Sequence, residues 1–388
     1  MDSKRLGYIL YTLGLILFNC GCDNRNKESN KEVSIPTCTL ETVKKKTLPL
    51  ENLHLPKGFN IEVLVELTDA RSIRISDSGT VFVSTRYADT VYALRDTDGD
   101  GCYDQKTLLN YPFNMPHGIA LSENTLFVVE PDRVLKFEHI ENVLEQPLQP
   151  KVIFDDFPPL GLHAWRYAKI GGDGKLYIAV GANCDLCPSD HIIQATIIRM
   201  DPMGNSMEIV ASGVRNTVGF DWHPKTNRLW FTENGPNNLG EEFPPDELNE
   251  VMTLGGHYGF PFVFGVPKGK SSPVNTILPR VLLDPHSAPL GMVFHTGEQF
   301  PNEFKNSIFI ARHGSSRQKG IGYDIVQVDV SDADHITTKV FASGWSSKQD
   351  DHTWGRPVDI AVAPDGSLLV SDDLAHVVYR IRYETKSQ

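Results

Sequence analysis

Short runs of β-branched, aromatic and aliphatic residues alternate along most of the chain with turns rich in Gly, Asp, Asn and Pro. In residues 213–237, Val218, Phe220 and Trp222 alternate with small or polar neighbours, residues 223–227 supply turn chemistry, and residues 229–232 form a second β-rich run. That is half of an antiparallel sheet. The same turn-and-strand phrase returns at 77–84, 123–129, 172–181, 225–232, 304–311 and 364–371, six copies in all. Most copies are followed by a further apolar run, as at 90–95, 134–139, 196–201, 324–330 and 377–382. Strand-turn-strand-turn units of about 40–50 residues are the pattern of β-propeller blades. Six units predict an all-β, six-bladed β-propeller. The run at 59–67 precedes the first copy and is placed to complete the last blade, which would close the ring and remove exposed sheet edges. An open solenoid or a sandwich would not need so many copies of one hairpin phrase.

A chain of 388 residues ordinarily suggests several domains. Repeat folds escape that rule because each unit packs only on its neighbours, so one propeller accounts for residues 50–388. The N-terminus has a different character. Lys4 and Arg5 precede an apolar run at 6–18, followed by Cys20, Gly21 and Cys22. The run is short for a membrane span and has the shape of a secretory signal over residues 1–22. Cys20 and Cys22 each partly match a bacterial lipoprotein box, which would make the protein an exported, lipid-anchored species of the periplasm or outer membrane. Residues 23–49 are polar, lack periodicity and read as a tether. In an oxidising compartment the remaining cysteines are available for disulfides. Cys184 and Cys187 would close a small loop, and Cys38 is placed to bond Cys102.

The formal net charge of −12 and the sequence pI near 5.5 argue against nucleic acid, whose binding is dominated by phosphate neutralisation. Small neutral substrates fit better. In a propeller the loops entering the innermost strands converge on the central channel. Here those entries carry His117, His163 with Arg166, Arg215 with Asn216, His286, and Arg356. Each histidine alone is as readily a structural hydrogen-bonder, and Arg166 as readily a partner for a flank carboxylate. Together, a histidine and an arginine aimed at one pocket would give a proton acceptor and a fixed stabiliser of developing negative charge.

Residues 163–184, 213–224, 244–261, 312–328 and 355–373 are similar, in the same order, to motifs of the soluble quinoprotein dehydrogenases of the glucose and sorbosone type, most closely the sorbosone branch. These are six-bladed propellers that use pyrroloquinoline quinone (PQQ) and calcium. The resemblance runs from about residue 55 to 383. It implies that His163 is the catalytic base, that Arg215 and Asn216 contact the cofactor, and that the backbone carbonyls of Gly235 and Pro236 hold the cofactor-bound calcium. It also implies that Arg312 lies over the quinone and Arg356 binds a cofactor carboxylate. His117, from its place at a strand entry, is a further candidate for the cofactor site. The chain departs from the glucose enzymes at Leu162, where they carry an aspartate, and at Val358, where they carry a second arginine. The activity implied is oxidation of a sugar, aldose or aldehyde, with electrons passing to an external acceptor.

Two further metal sites are expected. Asp96, Asp98 and Asp100 alternate before glycine as in the first half of a calcium loop, although Thr107 stands where a bidentate Glu belongs. An acidic surface turn is the other reading. Glu247, with Asp246 and Tyr258, partly matches a structural calcium site of the glucose enzymes. The competing functions are a calcium-dependent lactonase-type hydrolase, which needs several inward carboxylates around one ion, and a non-catalytic binding propeller.

Overall fold

The period-2 runs form antiparallel sheets, and each sheet lies between two others. The structure is a computed structural model that describes residues 48–266, 273–315, 320–347 and 352–384, all within the compact unit Cys38–Gln388. The proposed signal, lipid-bearing cysteines and most of the tether lie outside the described residues.

Among the described residues six sheets of at least four strands follow in chain order. Blade 1 contains Ala70–Ile75, Val81–Thr85, Val91–Arg95 and Gln105–Leu108. Blade 2 runs from Gly118–Ser122 to Lys151–Phe154. Blade 3 runs from Ala168–Ile170 through Leu176–Val180 to Glu208–Ser212, with Gly256–His257 added in parallel. Blade 4 comprises Phe220–Trp222, Leu229–Glu233, Asp246–Glu250 and Val281–Leu283, and blade 5 runs from Pro289–Phe294 to Thr337–Ser343. Blade 6 takes Pro357–Val362, Leu368–Asp372 and Val377–Tyr383 from the end of the chain and its outer strand, Phe59–Glu66, from the beginning. The expected closure is therefore present: Phe59 pairs with Tyr383 and Glu66 with Val377.

The alternation explains the packing. In Val81–Thr85, Val81 and Val83 point into a cluster shared with blade 6, while Phe82 points into one shared with blade 2. Further clusters fill the gaps between blades 2 and 3, 3 and 4, 4 and 5, and 5 and 6. Second strands are thus apolar on both faces, and each fully buried Val, Ile or Phe contributes about 1.5–3 kcal/mol. The core is distributed around the ring.

This topology positions the chemistry. The loops entering the inner strands lie on one face of the ring. The second strand of each blade runs antiparallel to the first, so its C-terminal end returns to that same face. The turns between first and second strands, and between third and fourth, lie on the opposite face.

Candidate functional site

His163 precedes the inner strand of blade 3. Its Nδ1 lies 2.8 Å from the carbonyl oxygen of Ala182, at the exit of the blade's second strand. A carbonyl only accepts, so Nδ1 carries the proton and Nε2 keeps its lone pair. The loop is pinned on either side. Leu162 N donates to Asn183 O, and Ala182 N donates to Arg215 O. Gly181 permits this fit, because a Cβ there would come within 2.5 Å of the His163 Cβ. Burial, reinforced by the Arg215 charge, pushes the His163 pKa down to about 4. The imidazole is therefore a neutral acceptor at physiological pH.

Arg215 enters blade 4 and is buried. Its Nε and Nη2 donate to the backbone oxygen and Oδ1 of Asp185, each at 2.8 Å, and Nη1 donates to Asn234 O at 3.0 Å. Asn216 follows it, half-buried, with a side chain that makes no hydrogen bond among the described residues. The segment 234–238 is held by its amides. Gly235 N donates to Asp246 Oδ1, Asn237 N to Asp185 Oδ1, and Asn238 N to Asp185 Oδ2. Among the described residues the carbonyls of Gly235 and Pro236 accept no hydrogen bond. They are hard oxygen donors of the kind calcium takes. Cys184 and Cys187 are disulfide-bonded, as expected. Cys102 is also disulfide-bonded, and its expected partner Cys38 lies outside the described residues.

Among the described residues Arg166 pairs with no carboxylate. It is buried with Nη1 donating to His163 O and Nη2 to Pro131 O, both at 3.2 Å, and burial alone pushes its pKa down to about 10. His286 Nε2 bonds Gly240 O at 2.7 Å and serves the loop structure.

A second group of residues comes from blades 1, 2, 5 and 6. Arg71, in an irregularity of the blade 1 inner strand, donates Nε to His117 Nδ1 (3.2 Å) and Nη1 to Asp373 Oδ2 (2.8 Å). His313 Nε2 lies 2.8 Å from Asp373 Oδ1. Burial, with the charges of Arg71 and Arg86, pushes His117 well below its ordinary pKa, and burial takes His313 to about 4. Burial alone would push Asp373 up, but His313, Arg71 and Arg86 hold it well below the usual carboxylate range. Arg86 reaches Asp373 only at 3.7 Å, its Nε is buried without a partner, and it is stacked on Tyr87 and Trp165 at 4.3 and 5.1 Å. Arg356 donates to the carbonyls of His313 (2.9 Å) and Gly314 (3.0 Å). Arg86 and Arg356 line one cavity of about 420 Å³ together with Asp69, Tyr87 and Asp373.

Arg312 is held by two carboxylates. Its Nε and Nη2 grip Asp324 at 2.6 and 2.5 Å, and Nη1 meets Asp284 at 2.5 Å, so its charge is already matched by two carboxylates. Glu247 is buried with Oε1 accepting from Gly265 N and Oε2 from Asn249 Nδ2, and burial pushes its pKa up to about 7. Tyr258, its expected companion, instead donates to Glu250 O. Asp96, Asp98 and Asp100 bring ligand atoms within 4.8 Å of one another, but in a turn between third and fourth strands, on the face opposite His163. Asp96 accepts from Gly99 N and Gly101 N, and Asp100 from Cys102 N, within the same turn.

Asp185, Arg71, Arg86, His313 and Asp373 are not among the residues that the inner-strand entries offered, whereas Trp165 lies within one such entry and meets Arg86. Arg86, His313 and Asp373 stand at second-strand exits, and Asp185 follows one a few residues on. The sequence signal was the cluster of polar residues ending each apolar second run.

An uncharacterized protein of Borreliella burgdorferi is 32% identical over 356 residues, covering 86% of this chain and 91% of that protein. The aldose sugar dehydrogenase YliI of Escherichia coli is 25% identical over 249 residues, 58% of this chain and 61% of that protein. Among solved structures, the holo form of the pyranose dehydrogenase PQQ domain from Coprinopsis cinerea superposes with a TM-score of 0.71 at 18% identity, covering 85% of this chain and 97% of that one. At that identity the likeness establishes the shared fold. A family model described as Domain of unknown function (DUF7133) matches residues 49–381, and the chain belongs to that family.

Proposed function

We propose that the protein is a PQQ- and calcium-dependent dehydrogenase that oxidises a sugar or a related aldose or aldehyde, of glucose or sorbosone type, and passes the electrons to an external acceptor. The observation that carries this reading is the neutral His163, on the same face as Arg215 and the carbonyls of Gly235 and Pro236, with its Nε2 lone pair and both carbonyls without a partner among the described residues. The donor set fits the group. Gly235 and Pro236 supply oxygens for a hard cation, and among the described residues Asn216 has an unbonded amide and Arg86 and Arg356 have guanidinium N–H groups that no carboxylate accepts at hydrogen-bond distance. When bound, the quinone would take up the electron pair leaving the substrate carbon, its carbonyl polarised by calcium.

The chain's own contributions follow from its geometry. His163 Nε2 takes the substrate hydroxyl proton while Nδ1–H stays on Ala182 O and fixes the plane of the ring. Arg166 holds the His163 carbonyl from below. Arg215, immobilised by Asp185 and Asn234, offers a fixed charge that needs no rearrangement as negative charge develops. Arg86 and Arg356 suit the carboxylates of a polyacidic ligand. Arg312 braces the exit of blade 5, and His117 orients Arg71.

The hydrolase alternative is less well supported. Asp185 and Asp373 on this face are bonded to arginines, and among the described residues the one tight group of three potential ligands is Asp96, Asp98 and Asp100 on the other face. Export and lipid anchoring at Cys20 or Cys22 form part of the proposal. The test is titration of the purified protein with PQQ and calcium, followed by dye reduction with a panel of sugars and aldehydes. We expect saturable, calcium-dependent quinone binding and turnover. Absence of quinone binding with calcium present would overturn the reading.

A further inference from the structure

We infer that the disulfide-closed loop of Cys184 and Cys187 is a clip whose working group is Asp185, a positioning residue that fixes the Arg215 guanidinium and the 234–238 loop relative to each other. The inference rests on the proposed function for its consequence in catalysis. Its structural content stands apart from that reading.

Four hydrogen bonds converge on this one residue. Asp185 Oδ1 accepts from Arg215 Nη2 and from Asn237 N, both at 2.8 Å, Oδ2 accepts from Asn238 N at 3.1 Å, and the backbone oxygen accepts from Arg215 Nε at 2.8 Å. Arg215 Nη1 in turn donates to Asn234 O. The side chains and loop thus form a closed circuit: Asp185 to Arg215, Arg215 to Asn234, and the 234–238 segment back to Asp185. Gly235 and Pro236 lie inside that circuit, so Asp185 at Asn237 N, together with Asp246 at Gly235 N, fixes the direction of their carbonyls. Bonds to a charged partner are stronger and more directional than neutral ones.

The loop that carries Asp185 leaves the second strand of blade 3 after Val180 and is tied at its start, where Ala182 N donates to Arg215 O and Asn183 O accepts from Leu162 N. Further on, Leu186 is 40% exposed. There the disulfide adds a constraint, joining residues three apart in sequence with Cα atoms 6.1 Å apart. A ring this small restricts the backbone between its ends, which is where Asp185 lies. No family motif drew attention to this aspartate. The structure does so through its partners.

The experiment compares the wild type with Asp185→Ala, Asp185→Glu and Cys184→Ser/Cys187→Ser. The first readout is amide hydrogen exchange at Asn237 and Asn238 in the quinone-free protein, expected to quicken about tenfold or more in Asp185→Ala. The second is spectroscopic titration with PQQ and calcium, expected to weaken about tenfold, with kcat for the sugar falling while its KM holds. Asp185→Glu should recover part of both, and the double serine variant should show a smaller change in the same direction. A residue that only stabilised the fold would lower the melting temperature and leave exchange at these amides and quinone affinity in step with global unfolding. Unchanged exchange and unchanged quinone affinity in Asp185→Ala would overturn the clip. If Asp185→Ala fails to fold, Asp185→Glu and the double serine variant decide by the same readouts. If wild type binds no quinone, the dehydrogenase reading falls, while the exchange measurement still decides the clip.

Discussion

The two walls of the channel mouth are built on opposite plans. On the side of blades 3 and 4, Arg215 has all three nitrogens engaged by Asp185 and Asn234, and among the described residues the groups left without a partner include the His163 lone pair, the Asn216 amide and two carbonyl oxygens. On the side of blades 1 and 6, Arg71 and His313 converge on Asp373 while Arg86 and Arg356 keep N–H groups that no carboxylate accepts. One wall presents electron pairs and the other presents protons. A polyacidic ligand spanning the mouth would meet cations at one end and a base with metal-ligating oxygens at the other. The difference separates the work: the first wall should govern turnover and the second should govern affinity.

The largest effect should come from His163→Ala. Loss of a general base commonly costs about 100- to 10,000-fold in rate, so dye-linked turnover should collapse while quinone titration remains close to wild type. Normal turnover would move the base elsewhere, with His117 the next candidate despite its burial. Next come Arg86→Ala and Arg356→Ala on the opposite wall. Each loses hydrogen bonds to a charged group and should weaken quinone binding about 10- to 100-fold, with kcat at saturating quinone little changed. If kcat fell instead and affinity held, the division between the walls would be wrong.

The smallest effect is the pH response. His163 has a folded pKa of about 4 against an ordinary 6.5, so kcat/KM should stay level from neutrality and fall only as pH drops through about 4. The stability sign follows. Between those two values the unfolded chain binds the proton more readily, so this group destabilises the fold as pH falls below about 6.5 and has no effect above it. Replacing Arg215, whose charge adds to the depression, should move the acidic limb of kcat/KM upward.

Much of the architecture was legible because propeller blades obey a two-residue period and a repeated turn phrase. The closing role of the strand at 59–66, the Cys184–Cys187 bond and the presence of His163, Arg215 and Asn216 on one face were all readable from position. What escaped the sequence was the second set of chain ends on the same face. An antiparallel hairpin brings its far end back beside its start, so Arg86, His313 and Asp373 stand on the same face as the strand entries. Pairing was also hidden. Nothing local marks Asp284 and Asp324 as partners that neutralise Arg312, because that meeting depends on how blade 5 folds. The replacement for the missing aspartate at Leu162 is likewise not a side chain: the carbonyl of Ala182 orients His163, and a carbonyl has no signature in the sequence.

The strand Phe59–Glu66 belongs to the first part of the chain to be made, yet its partner Val377–Tyr383 is among the last. Blades 1 to 5 can each assemble from strands close together in the chain, whereas the sixth waits for Val377–Tyr383. Until then Phe59, which packs edge-on against Phe300, Phe304, Phe341 and Tyr383, has no complete nest. A chain stopped short of Val377 would therefore leave the strands Phe59–Glu66 and Leu368–Asp372 as bare edges, open to pairing with another molecule. The ring acts as a test of assembly, since only a chain that carries both strands can bury this seam.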